Sequence, residues 1–256
     1  MLAELVGGAL EDARARAATT PLDRVAAAAQ QAAPPLAARA ALAPAERVKI
    51  IAEVKRASPS RGRLAEIPDP AALASLYEQG GASAISVLTE QRRFLGSLDD
   101  LRAVREAVGI PVLRKDFIAD PYQVYEARAA GADIVLLIVA ALDQQTLVSL
   151  HTLATQLGMA ALVETHSAEE VSRALDAGAS VVGVNARNLD TFELDRDLFG
   201  TLADGIPAGV TRVAESAVLG PADVAHYREA GADVVLVGEA LVTGDPTARL
   251  AEFLAV

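Results

Sequence analysis

Cysteine is absent from the 256-residue chain, which excludes disulfides, thiolate catalysis and Cys-ligated metal sites. Histidine is nearly so. His151, His166 and His226 are scattered without a metal-ligating spacing, and no metal site is expected from them. Cations are in deficit: 23 Lys and Arg against 34 Asp and Glu give a formal net charge of −11, a sign that repels nucleic acid and anionic membranes. Long apolar runs are missing too. The longest, IVLLIVAAL from Ile134 to Leu142, sits between Asp133 and Asp143 and is less than half of what crosses a bilayer. The opening stretch, MLAELVGGALEDARARAATT, meets Glu4, Glu11 and Asp12 before any long apolar segment, so it reads as an amphipathic helix without a signal-peptide pattern. An acidic, cytoplasmic protein with neither a nucleic-acid nor a membrane partner is the expectation.

What the chain has is repetition. EQGGASAISV, RAAGADIVLLI, LDAGASVVGV and REAGADVVLV each read as a helix end, a glycine cap and a strand. Their glycines, Gly81, Gly131, Gly178 and Gly231, recur at intervals near fifty residues. Between them lie four more strand-like runs, IIAEV, IPVLR, MAALVE and TRVAES, so each period holds two strand-plus-helix units. Continuous apolar strands alternating with helices imply parallel pairing with right-handed crossovers, and eight units predict a closed α/β barrel of the (β/α)8 TIM type. An open doubly wound sheet is the weaker alternative, because no G-x-G-x-x-G follows the first strand. Residues 1–45, with Pro34, Pro35 and Pro44, are read as an N-terminal helical extension on a single barrel domain spanning 1–256.

In a barrel of this kind, chemistry sits at the C-terminal ends of the strands. The predicted strands end in Glu53 and Lys55, Lys115, Glu164, Asn185 and Arg187, and Glu215 and Ser216. Alternation along a strand puts Glu53 and Lys55 on one face, directed to the mouth. Structural ion pairs at strand ends would explain any one of these charges. The whole set is harder to explain so, because desolvating several charges is costly unless their proton affinities are used. The loops SPSRG, ESAVLG and VGEALV supply hydroxyls, backbone N–H groups and Gly238 around the same mouth, a composition suited to a phosphate. Lys55, Lys115 and Arg187 would offset the negative net charge locally.

Taken in order, IIAEVKRASPSRG, SVLTEQRRFLGSLDDL, IPVLRKDFIADPYQ, GADIVLLIVAAL, LVETHS, GVNARNLDTFELD, VAES and GADVVLVGEALV resemble the indole-3-glycerol phosphate synthase family of tryptophan biosynthesis, from about residue 48 to 243. The Ala-rich leader resembles the family's N-terminal extension less specifically. The resemblance implies a carboxy-lyase that closes the indole ring of 1-(2-carboxyphenylamino)-1-deoxyribulose 5-phosphate with loss of carbon dioxide and water. It implies no cofactor, a small phosphorylated substrate as the only partner, and a monomer or weak homodimer. By motif, Lys115 matches the general acid, Glu164 the general base, and Lys55 the lysine that binds the substrate carboxylate and acts in dehydration. Glu53 and Asn185 match residues that stabilise charged intermediates. Arg187 and Glu215 match polar pocket positions, and Ser216, beside the phosphate loop, is counted with Glu215 in the catalytic set. Phe94, Phe117, Leu136 and Leu189 match the apolar wall around the anthranilate ring. Ser58, Ala217, Gly238 and Glu239 match the phosphate grip.

One departure stands out. The family pattern ESG reads ESA here, so Ala217 occupies a glycine position where a Cβ disfavours positive φ. Two rival readings share the fold. A phosphoribosyl isomerase would keep the phosphate grip without needing Glu53, Lys55, Lys115 and Glu164 together, and a non-catalytic barrel would need none of them.

Overall fold

The computed structural model describes residues 1–188 and 191–256. Eight parallel strands close into a barrel in sequence order: β1 (Lys49–Val54), β2 (Ala84–Leu88), β3 (Val112–Lys115), β4 (Ile134–Ile138), β5 (Ala160–Thr165), β6 (Val181–Asn185), β7 (Thr211–Glu215) and β8 (Val234–Val237). The barrel shuts where β1 pairs β8 on one side and β2 on the other, which rules out the open sheet. Helices α1 (Leu2–Thr19), α2 (Leu22–Gln31) and α3 (Ala38–Ala41) precede it. The crossovers carry α4 (Pro70–Gln79), α5 (Leu98–Ala107), α6 (Pro121–Ala129), α7 (Gln144–Gln156), α8 (Ala168–Asp176), α9 (Leu198–Ala203) and α10 (Pro221–Glu229), and α11 (Glu239–Val242) and α12 (Pro246–Leu254) follow β8. No helix among the described residues is long and apolar enough to cross a membrane.

Local sequence sets the ends of these elements. Asp69, Ser97, Asp143 and Ser167 each accept a backbone N–H as N-caps of α4, α5, α7 and α8, contacts worth about 1 kcal/mol apiece. Just past the ends of α4, α6, α8 and α10, the repeating glycines Gly81, Gly131, Gly178 and Gly231 have φ of 94, 93, 85 and 95°, a region that costs a side chain energy. The fifty-residue repeat is therefore a repeated backbone turn.

Period-two alternation sorts the strand residues between two cores. Ile50, Ala52, Val54, Val135, Leu137, Val182 and Val235 face the helices, where they meet buried Tyr77, Leu101, Leu150, Phe199 and Phe253. Ile51, Leu113, Ile134, Leu162, Val181, Val213 and Val234 fill the barrel itself. One step further along several strands, this inner face changes character. Ile51 is followed by Glu53, Leu113 by Lys115, Leu162 by Glu164 and Val213 by Glu215.

The leader engages both ends of the barrel. Leu2, Leu5 and Ala9 of α1 pack with Phe117 and Ile138 at the mouth, whereas Ala38 and the fully buried Leu42 join the inner core from the opposite end. That end is placed by a groove where α3 meets Met159, Ala160, Ser180 and Thr211 at the starts of β5, β6 and β7. Between them, Val25 of α2 packs with Tyr122 of α6, and Leu36 N–H donates to Asp133 Oδ1 at 2.7 Å.

Candidate active site

At the C-terminal end of the barrel two adjoining cavities share Glu53, Lys55, Lys115, Arg187, Ser216 and Glu239 as a common border. The first is apolar on its far side, where Leu5, Leu88, Phe94, Phe117, Leu136, Ile138 and Phe192 converge. The Phe94 and Phe117 rings lie 6.1 Å apart and tilted by 44°, an arrangement that aromatic quadrupoles favour. The second cavity is walled by Ala217, Val218 and Leu219 from the loop after β7, by Gly238 and Glu239 after β8, and by Arg61 and Arg196. A cavity with an aromatic, apolar wall thus adjoins one walled by loops and arginines, with the charged set between them.

Lys115 occupies the centre of that set. Its Nζ lies 3.3 Å from Glu215 Oε2, 3.7 Å from Glu164 Oε2 and 4.0 Å from Glu53 Oε2. Burial lowers its proton affinity, but Glu215, Glu53 and Glu164 reverse the effect and hold it above the ordinary lysine range. An ammonium is therefore in place at neutral pH. Glu53 has the opposite balance: burial favours its neutral form, yet Lys55 and Lys115 keep its carboxylate below the usual value. Lys55 Nζ is 2.9 Å from Glu53 Oε1, and Ser86 donates to Oε2 at 3.2 Å. The opposite charges of Glu53 and Lys55 on one face are thus a direct ion pair.

Glu215 differs. Burial pushes it up to about 8, Glu164 adds to the effect and Lys115 opposes it. Neither Glu215 oxygen has a hydrogen-bond partner among the described residues, and the same is true of Glu164 Oε1. Asn185 Oδ1 accepts from Ser216 Oγ at 2.7 Å and from Arg187 N–H at 3.0 Å, so it binds the end of β6 to the loop after β7.

Of the residues singled out in the sequence, Glu53, Lys55, Lys115, Glu164, Asn185, Glu215, Ser216, Phe94, Phe117, Leu136, Arg187, Ala217, Gly238 and Glu239 all border these cavities. Leu189 lies outside the described residues. Ser58, grouped by sequence with the phosphate loops, lines the first cavity beside Pro59 and Ser60. Arg61 from the same segment reaches the second, 3.3 Å from Glu239. Gly238 has a steric role besides any anion contact: a Cβ there would stand 2.6 Å from Glu53 Oε1 and 3.2 Å from Lys55 Nζ. Ala217 adopts the left-handed backbone of a glycine, φ 57°, after Ser216 at φ 70°. Among the described residues, no three His, Cys, Asp or Glu side chains are grouped to hold a metal ion.

Sequence reading missed four neighbours. Leu5 comes from a helix far away in the chain, and Phe192 from a loop with φ 62°. His166 lies two residues beyond Glu164, with Nε2 3.8 Å from Glu164 Oε1 and Nδ1 3.5 Å from Glu170 Oε2. Burial lowers its proton affinity, but Glu170, Glu164 and Glu215 raise it above the usual imidazole value. Arg114 is fully buried on the outward face of β3 and bonds Asp116 at 2.8 Å and Glu126 at 3.0 Å. Glu126 in turn accepts from Arg16 of α1 at 2.5 Å. The sequence signal for His166 is its place just past the end of a predicted strand, two residues after Glu164, and none exists for the Arg16 link.

Among solved structures, the barrel resembles a thiamine phosphate pyrophosphorylase from Pyrococcus furiosus. The TM-score is 0.61 at 16% identity, covering 80% of this chain and 93% of the other, a likeness of fold alone. The sequence carries more. It is 71% identical over 256 residues to an indole-3-glycerol phosphate synthase of Leifsonia xyli subsp. xyli, covering 100% of this chain and 98% of the relative. It is 60% identical to one of Mycolicibacterium gilvum, covering 99% and 93%. The family model described as indole-3-glycerol phosphate synthase matches residues 2–253, taking in the leader as well as the barrel. With the whole length accounted for, this chain belongs to the indole-3-glycerol phosphate synthase family.

Proposed function

We propose that this mouth carries out the family's ring closure, converting 1-(2-carboxyphenylamino)-1-deoxyribulose 5-phosphate to indole-3-glycerol phosphate, carbon dioxide and water. The observation that supports it most is the position of the Lys115 ammonium, on the border between an aromatic-lined cavity and a cavity walled by the loops after β7 and β8 and by arginines. The anthranilate ring fits against Phe94, Phe117 and Leu136, and the phosphate fits the loops after β7 and β8. The ketose carbon then lies between them, beside Lys115.

In the first step the ring carbon that bears the carboxylate attacks the ketose carbonyl carbon, and Lys115 gives a proton to the carbonyl oxygen as it becomes a hydroxyl. Carbon dioxide leaves with its bonding pair returned to the ring, which restores aromaticity. The new hydroxyl departs as water with a proton from Lys55, while Glu164 takes the proton released as the indole double bond forms. Glu53 holds Lys55 in place, and the carboxylates around Lys115 stabilise positive charge on the ring nitrogen during attack. Arg187 and Lys55 serve the substrate carboxylate, and Ser216, Ala217, Gly238 and Glu239 contribute to the phosphate grip.

The test is to supply the deoxyribulose phosphate and follow indole fluorescence. Turnover is expected from the native chain, and its failure overturns the reading. Lys115→Ala should lower kcat by about 10²–10⁴-fold with KM little changed, and full activity in that variant would remove Lys115 from the role of acid.

A further inference from the structure

Gly183 lies inside β6, and its backbone is not among those with positive φ, so conformational freedom does not explain the glycine. Space does. Its inward position follows Val181 and precedes Asn185, and a Cβ built there would collide with Glu215 Oε1 and stand 3.2 Å from Leu162 Cδ1. In the sheet register Gly183 pairs with Glu164 of β5 on one side and Val213 of β7 on the other, while Glu215 pairs with Asn185. Glu215 thus starts one layer above Gly183, and its side chain passes over the place where a side chain of β6 would be.

We infer that Gly183 is a positioning residue: its missing side chain forms a slot through which the Glu215 carboxyl crosses from β7 over β6 to lie against Lys115 and Glu164. The groups facing that carboxyl are Lys115 of β3, Glu164 of β5 and, more distantly, His166 beyond β5, with Glu53 of β1 reached through Lys115. A methyl group at 183 would push Glu215 off this path. Lys115 would lose its nearest carboxyl contact, 3.3 Å away, and the proposed acid would be held differently although no group that touches substrate had been removed.

The inference rests on the proposed reaction, and its test separates the two. Gly183→Ala should lower kcat by about 30-fold or more with KM within about twofold. Glu215→Asp, one methylene shorter, should impair the native background yet raise kcat of the Gly183→Ala protein by about tenfold, because the shorter side chain fits beside the methyl group. Should Gly183→Ala alone fail to fold, Gly183→Ala/Glu215→Ala should fold and melt like Glu215→Ala, a comparison that needs no substrate. Native kcat in Gly183→Ala, or a double variant no better than Gly183→Ala, overturns the slot. An inactive native chain would overturn the reaction instead and leave the melting comparison to decide the slot.

Discussion

Replacing Glu215 by Gln tests whether this carboxyl is neutral in the folded protein. Burial and Glu164 raise it from 4.5 to about 8, so between those values the folded chain holds one proton that the unfolded chain releases. A carboxyl raised in this way contributes its full stability below the unfolded value and loses it as pH rises through the folded one. The slope is about −1.4 kcal/mol per pH unit. From pH 5 to pH 7 the native protein should therefore lose about 3 kcal/mol that Glu215→Gln keeps. His166, whose proton affinity Glu215 itself raises, is replaced by Asn in both proteins so that its own titration stays out of the difference. Urea unfolding of the two at pH 5, 6 and 7 gives the comparison directly. Stability profiles that stay parallel would refute the reasoning. They would mean that Glu215 is ionised in the fold and that the 3.3 Å contact with Lys115 is an ordinary ion pair.

Restoring glycine at Ala217 relieves a left-handed residue, φ 57°, on the wall of the second cavity. The relief is about 1 kcal/mol, so KM should fall by up to about fivefold with kcat unchanged, and an unchanged or higher KM contradicts it. Helix α1, which brings Leu5 to the first cavity, is tied to the loop after β2 by Arg92 with Glu11 and Asp12, and by Arg93 with Glu4. These pairs are exposed, so salt should raise the native KM by about two- to threefold. Arg92→Ala/Arg93→Ala should show the raised KM at low salt and no further response, whereas an equal salt response in both proteins would show that the pairs do not hold the helix.

How much of this was legible in the sequence depends on range. Gly81, Gly131, Gly178 and Gly231 encode a local turn, and strand alternation encodes which residues face inward, so eight strands and Glu53, Lys115, Glu164 and Glu215 could be placed without coordinates. The loop residues carried less information. SPSRG reads as one phosphate segment, but Ser58 lines one cavity and Arg61, which follows in the chain, lines the other. Gly183 was invisible because an inward glycine in a strand looks like any small core residue until the side chain crossing over it is known. Leu5 and Arg16 depend on where the leader docks, and no periodicity in residues 1–45 specifies that.

The leader's contacts bear on the order of assembly. Residues 2–42 leave the ribosome before any strand they pack against. Arg16 bonds Glu126, 110 positions later, and Leu36 bonds Asp133, 97 positions later. Contacts so distant are expensive in loop entropy and form late. The segment synthesised ahead of the barrel must wait for β3 and β4 before it can dock. Until then Leu2, Leu5, Ala38 and Leu42 stay exposed, and both ends of the barrel stay open. A nascent chain stalled within α6 or β4 would therefore display these apolar side chains with nothing to cover them, and that length is where a holding chaperone would find its substrate.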